Sequence, residues 1–164
     1  MRLPVVPLLC LLTAAIAFPA VAGPNIYPDP GFETDGVPGV AHSGEKAGHL
    51  SVAAQAHWVS TEKPLKVEPF ARYRMTEWVK ASIGSGALSA PHCYQWDSYE
   101  WAFSSARPVG NSTDWVQTEL TFISPSDTMC VSTLAFSGAQ NSEAWVDDVV
   151  VEKIQEPEQA MAEV

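Results

Sequence analysis

Basic residues are scarce in this sequence. Lys and Arg number 9 against 19 Asp and Glu, a formal net charge of −10 at pH 7. A phosphate backbone is held by clustered cations, so nucleic acid is excluded as a partner class. Charge of either sign is sparse, at 17% of residues, while hydrophobic residues make up 46%. A chain this apolar folds rather than staying disordered. Its 164 residues suit one domain rather than two. Long apolar runs are missing beyond the N-terminus, so no later segment reads as a membrane span.

Catalytic signatures are missing too. Neither a Gly-x-Ser-x-Gly elbow nor a His-Glu-x-x-His pair occurs. His42, His49, His57 and His92 are scattered without ligand spacing. Asp147 and Asp148 are neighbours in a strand-like stretch; their side chains would diverge and could not flank one glycosidic bond. The expectation is a non-catalytic protein.

The N-terminus has its own pattern. Met1-Arg2 precedes an apolar run from Leu3 to Phe18, then the small-x-small site Ala20-Val21-Ala22. This predicts a secretory signal peptide over 1–22 and a secreted or periplasmic mature protein without membrane attachment. Pro4, Pro7 and Pro19 break the run, which argues against an uncleaved anchor. Cys10 would leave with the signal, so Cys93 and Cys130 remain in an oxidising compartment, either as a disulfide or as two buried thiols.

The rest reads as strands. Val116, Thr118, Leu120 and Phe122 alternate with polar residues, as do Leu50, Val52 and Ala54, and Cys130, Leu134 and Phe136 share a face opposite Thr133. In 72–82, Tyr73, Met75, Val79 and Ala81 share an inner face and Trp78 points the other way. Pro38-Gly39, Gly84-Ser85-Gly86 and Ser124-Pro125-Ser126-Asp127 supply turns. Short alternating strands with closely spaced turns predict an all-β sandwich of two antiparallel sheets over 23–154. Residues 155–164, rich in Glu and Gln, are expected to form a disordered acidic tail.

One residue conflicts with its surroundings. Strict alternation in Ala144–Glu152 places Asp147 with Trp145, Val149 and Val151 on an apolar face. A buried carboxylate costs several kcal/mol unless it is compensated. Glu33, just after Phe32, is a second such group. A calcium ion held by oxygen ligands would satisfy both; a salt bridge or a position at the rim are the alternatives.

Several segments together resemble the family 4, 9 and 22 carbohydrate-binding modules. Asn25-Ile26-Tyr27-Pro28-Asp29-Pro30-Gly31-Phe32-Glu33 is similar to their opening strand, and His42-Ser43-Gly44-Glu45-Lys46-Ala47 to their next turn. Pro64–Pro69, Tyr73–Lys80, Thr113-Asp114-Trp115 and Trp145-Val146-Asp147-Asp148-Val149 follow in the same order. The resemblance implies a jelly-roll β-sandwich of the galactose-binding-like type, with a structural calcium held by Glu33, Asp147 and the carbonyl of Glu45. It also implies Trp115 and Trp145 inside, Trp58 as a sugar-stacking ring, and a polysaccharide or other glycan as partner. Family 22 modules carry a hydroxyl-binding carboxylate late in the penultimate strand, where this chain has Phe136-Ser137-Gly138.

A second aromatic group surrounds Asp97-Ser98-Tyr99-Glu100, which reads as a hairpin turn. Trp96 and Trp101 across it, with Tyr99, would form either a sugar platform or a core pair. The sequence thus predicts non-catalytic glycan binding. The alternative from another class is a structural or adhesion module with a protein partner.

Overall fold

The computed structural model describes residues 22–95 and 104–164. Among these, the elements in chain order are β1 (Val37–Pro38), β2 (Lys46–Val52), β3 (Ala56–Lys66), β4 (Arg72–Ser82), β5 (Ser85–Gln95), β6 (Ser104–Val109), β7 (Ser112–Ile123), β8 (Thr128–Gln140), β9 (Ser142–Gln155) and a short helix α1 (Pro157–Ala162). They form a five-stranded sheet in the order β1-β2-β9-β4-β7 and a four-stranded sheet in the order β3-β8-β5-β6. Every pairing is antiparallel. The chain crosses repeatedly from one sheet to the other, and the two sheets enclose one core: the expected all-β jelly-roll sandwich.

The core follows from alternation. Tyr73, Met75, Val79 and Ala81 of β4 point inward, as do Leu120 and Phe122 of β7, and they meet Leu134 and Phe136 of β8. The same period carries Glu77 inward, where it is completely buried. Ahead of β1, residues 23–26 lie along β9: the N–H groups of Gly23 and Ile26 donate to the carbonyls of Lys153 and Val151, each at 2.9 Å. The Asn25 amide donates to Val149 O and accepts from Val151 N–H, both at 2.9 Å.

Bulges break the alternation in two strands and correct three expectations. In β9, Asp148 has φ +49°, opposite a register shift between Thr76 and Trp78 of β4. Ala144 and Val146 therefore share the inner face with Val149 and Val151, while Trp145 and Asp147 turn outward, so Asp147 is not on the face of Val149 and Val151 where alternation put it. In β8 the inward residues change from Met129 and Val131 to Leu134 and Phe136, so Cys130 does not share their face. Cys93 belongs to the core and Cys130 does not; both are buried free thiols, so the disulfide alternative fails. The last segment also differs from a disordered tail. Strand β9 runs to Gln155, Pro157 starts α1 at a position that needs no N–H, and Ala160 is fully buried. Arg72 pairs with Glu163 at 3.2 Å.

Candidate glycan-binding face

The side of the four-stranded sheet turned away from the core is built by cross-strand neighbours. Trp58 of β3 lies opposite Ser137 of β8, Glu62 opposite Ser132, and Ser132 opposite His92 of β5; Tyr94 lies opposite Cys130. These positions gather Trp58, Ser60, Glu62, His92 and Tyr94 on one surface. Trp58 is 39% exposed, unusual for so large an apolar ring. The His92 imidazole meets its indole edge-on at 5.4 Å between centroids, and Tyr94 meets His92 edge-on at 6.0 Å.

Polar contacts fix the indole. Trp58 Nε1–H donates to Ser60 Oγ at 3.1 Å, and that hydroxyl donates to Glu62 Oε1. Glu62 also hydrogen-bonds Tyr94. Burial pushes the His92 imidazole below its ordinary value, with the Glu62 charge opposing, and burial pushes the Tyr94 phenol up. A rigid, partly exposed indole beside a carboxylate and hydroxyls suits a sugar: the ring stacks on C–H groups and the carboxylate orients hydroxyls.

Of the expected sugar-binding residues, Trp58 is on this face. Trp96, Tyr99 and Trp101 lie outside the described residues, in the connection from β5 to β6. Glu62 and His92 were not anticipated. The spacing Trp58-x-Ser60-x-Glu62 was a readable signal on a strand; His92 needed the β3-β8-β5 order. The carboxylate of this face comes from β3.

Glu33 and Asp147, the expected calcium ligands, lie away from this face. Asp147 is fully buried beneath the turn that precedes β2. Its Oδ2 accepts the N–H groups of His42 at 2.8 Å and Ser43 at 3.0 Å, and its Oδ1 accepts the Asp148 N–H at 2.8 Å. Among the described residues no Lys or Arg pairs with it. Glu33 Oε1 accepts the Glu45 N–H at 2.9 Å, and Gly44, at φ +65°, lets that oxygen approach where a Cβ would collide. A Cβ placed on Gly31 would lie 3.8 Å from Asp147 Oδ1 and 4.0 Å from Glu33 Oε1, so both carboxylates lie beside Gly31. Glu45 is exposed, and its carbonyl accepts the Gly39 N–H at 3.4 Å.

No group of three or more His, Cys, Asp or Glu is arranged for a metal among the described residues. An ion here would take two carboxylates and complete its shell with main-chain carbonyls or water. Such an all-oxygen donor set fits calcium and not zinc.

The tryptophans expected inside are elsewhere. Trp115 and Trp145 are only half-buried, on the outer side of the five-stranded sheet. Trp145 stacks on His49 at 4.9 Å, and Trp115 meets His42 edge-on at 5.8 Å.

Comparison with known proteins agrees with the architecture. The fold is that of carbohydrate-binding modules of the jelly-roll type. A family 16 carbohydrate-binding module matches with a TM-score of 0.59 and 21% identity over 77% of this chain and 99% of that one. TmCBM61 in complex with β-1,4-galactotriose matches with a TM-score of 0.58 and 17% identity, over 79% and 98%. The CBM22-1 xylan-binding domain from Paenibacillus barcinonensis Xyn10C matches with a TM-score of 0.54 and 13% identity, over 74% and 81%. No protein-family model and no curated protein sequence matches this chain.

Proposed function

We propose that the protein binds a neutral glycan chain non-catalytically on the outer face of the four-stranded sheet. Trp58 supplies the stacking ring, Glu62 and Ser60 orient sugar hydroxyls, and His92 and Tyr94 hold the indole from behind. Trp96, Tyr99 and Trp101 extend the platform, a role assigned on sequence grounds. The observation that carries this reading is the exposed Trp58 ring tied through Ser60 to a carboxylate. Galactan and xylan are the first polymers to try, because two of the structural neighbours bind β-1,4-galactotriose and xylan.

Affinity electrophoresis in galactan or xylan gels tests it. Trp58→Ala should weaken retention about tenfold, roughly 1.4 kcal/mol of lost stacking, while circular dichroism stays unchanged. Equal retention of the variant and the parent protein would overturn the reading.

Two further parts belong to the same proposal. One calcium ion is held by Glu33 and Asp147, supported by two carboxylates that lie beside Gly31 and pair with no Lys or Arg side chain among the described residues. Its role is structural: it joins the segment before β1, the turn before β2 and strand β9. The protein is secreted or periplasmic, which the signal-like 1–22 supports. None of the described helices is long and apolar enough to cross a membrane. Sequencing the N-terminus of exported protein checks cleavage after Ala22.

A further inference from the structure

The outer side of the five-stranded sheet faces water, yet it carries three half-buried tryptophans. His49 of β2, Trp145 of β9 and Lys80 of β4 are directly paired across adjacent strands, so they form one transverse row. The Trp145 indole lies nearly parallel to the His49 imidazole, 22° between planes. Further along, Trp78 stacks on His42 at 4.1 Å. Nothing in the sandwich requires large rings here, because the core lies on the sheet's other side.

Beside Trp145 is a groove of about 680 Å³, lined among others by Lys80, Ser82, Ser112, Thr113 and Glu143. That size falls in the range of about 300–1,000 Å³ usual for small-ligand sites. Its rim is fixed: the Asn111 side chain accepts the Ile83 N–H and donates to the Ile83 carbonyl. Lys80 makes no ion pair among the described residues, and Glu143 lies 3.5 Å from His49. An ammonium, a carboxylate and three hydroxyls thus surround one rigid apolar plate.

We infer that this groove is a second binding site, for a single neutral pyranose stacked on Trp145. The chemistry selects the class. A pyranose offers a C–H face to the indole and a ring of hydroxyls to Lys80 and Glu143, each able to form a charge-assisted hydrogen bond. An anionic sugar would gain Lys80 but meet Glu143 and a molecule of net charge −10. A cationic one would gain Glu143 but meet the Lys80 ammonium, whereas a neutral ring uses both groups without repulsion from either. The site is independent of Trp58, because the two sheets turn their outer faces in opposite directions and are stacked about 10 Å apart through the core. One sugar cannot touch both. A module with both sites occupied is bivalent and can bridge two glycan chains.

The test is an NMR titration of the tryptophan indole N–H signals with the methyl pyranosides of glucose, galactose, mannose and xylose, in the parent protein and in Trp58→Ala. The Trp145 signal is assigned with Trp145→Phe. At least one sugar should shift it along a saturable curve at millimolar concentration, typical of a single ring, and the shift should persist in Trp58→Ala. Lys80→Met and Glu143→Gln, which alter no core residue, should each weaken that curve about tenfold or more. The inference is overturned by the absence of a saturable Trp145 shift with all four sugars. It is equally overturned by a shift that disappears in Trp58→Ala, or by curves unchanged in both Lys80→Met and Glu143→Gln. Failure of the Trp58 face would appear instead as unchanged gel retention, so the two outcomes are distinct.

Discussion

Glu77 sits between Met75 and Val79 on the inner face of β4, and neither carboxyl oxygen has a hydrogen-bond partner among the described residues. Thr118, its cross-strand neighbour, also leaves its hydroxyl unpaired, and Tyr27 is close enough to feel any charge on Glu77. Burial holds the carboxyl well above the ordinary carboxylate range. The unfolded chain loses this proton near its ordinary value of about 4.3, whereas the folded chain retains it to higher pH. In that window the folded state binds the extra proton, so stability falls as pH rises, by about 1.4 kcal/mol per pH unit. Urea denaturation at about pH 5 and pH 7 should show this loss, and Glu77→Gln, which cannot ionise, should remove the Glu77 part of the slope. Period-two alternation from Tyr73 to Ala81 already places residue 77 inside; its charge disguised it. Trp58 was singled out by the family resemblance and not by alternation; Asp147 is buried as expected, but with Trp145 on the outer side of the sheet and not on the face of Val149 and Val151. His92 was not, because its role depends on β8 pairing with both β3 and β5, a fact of sheet order and not of local pattern.

At the scale of the element, β9 shows where sequence patterns stop. Alternation reads correctly on either side of Asp147-Asp148 but in opposite phase, because one residue at φ +49° shifts the pleat. No residue type at these positions announces a bulge, so Trp145 was placed inside and Val146 outside. The β8 irregularity misled the placement of Cys130 in the same way. Strand β9 is also held along its length by the segment before β1. Asn25→Ala removes two side-chain bonds to that strand and should lower stability by about 1–2 kcal/mol, measured by chemical denaturation. The turn before β2 makes a different prediction. A Cβ at Gly44 would push Glu33 aside and occupy a left-handed conformation. Gly44→Ala should therefore cost about 1–2 kcal/mol, read as a lower melting temperature.

For the whole molecule, the two-sheet architecture was readable because the strands are short, alternate and are separated by turn residues. Which face binds was not, since both sheets turn tryptophans outward. The calcium proposal belongs to this scale because it ties segments far apart in sequence. Chelation should lower the melting temperature, and Asp147→Ala should remove that sensitivity; the same melt with and without chelator would refute the ion. Strand β9, described above as lying between β2 and β4, is the only described partner of β2 other than the two-residue β1. Without it the five-stranded sheet falls into two unconnected strand pairs, β1-β2 and β4-β7, while the order β3-β8-β5-β6 is untouched. The β2–β9 pairing joins residues about a hundred positions apart, and contacts so distant in sequence are the slow ones to form.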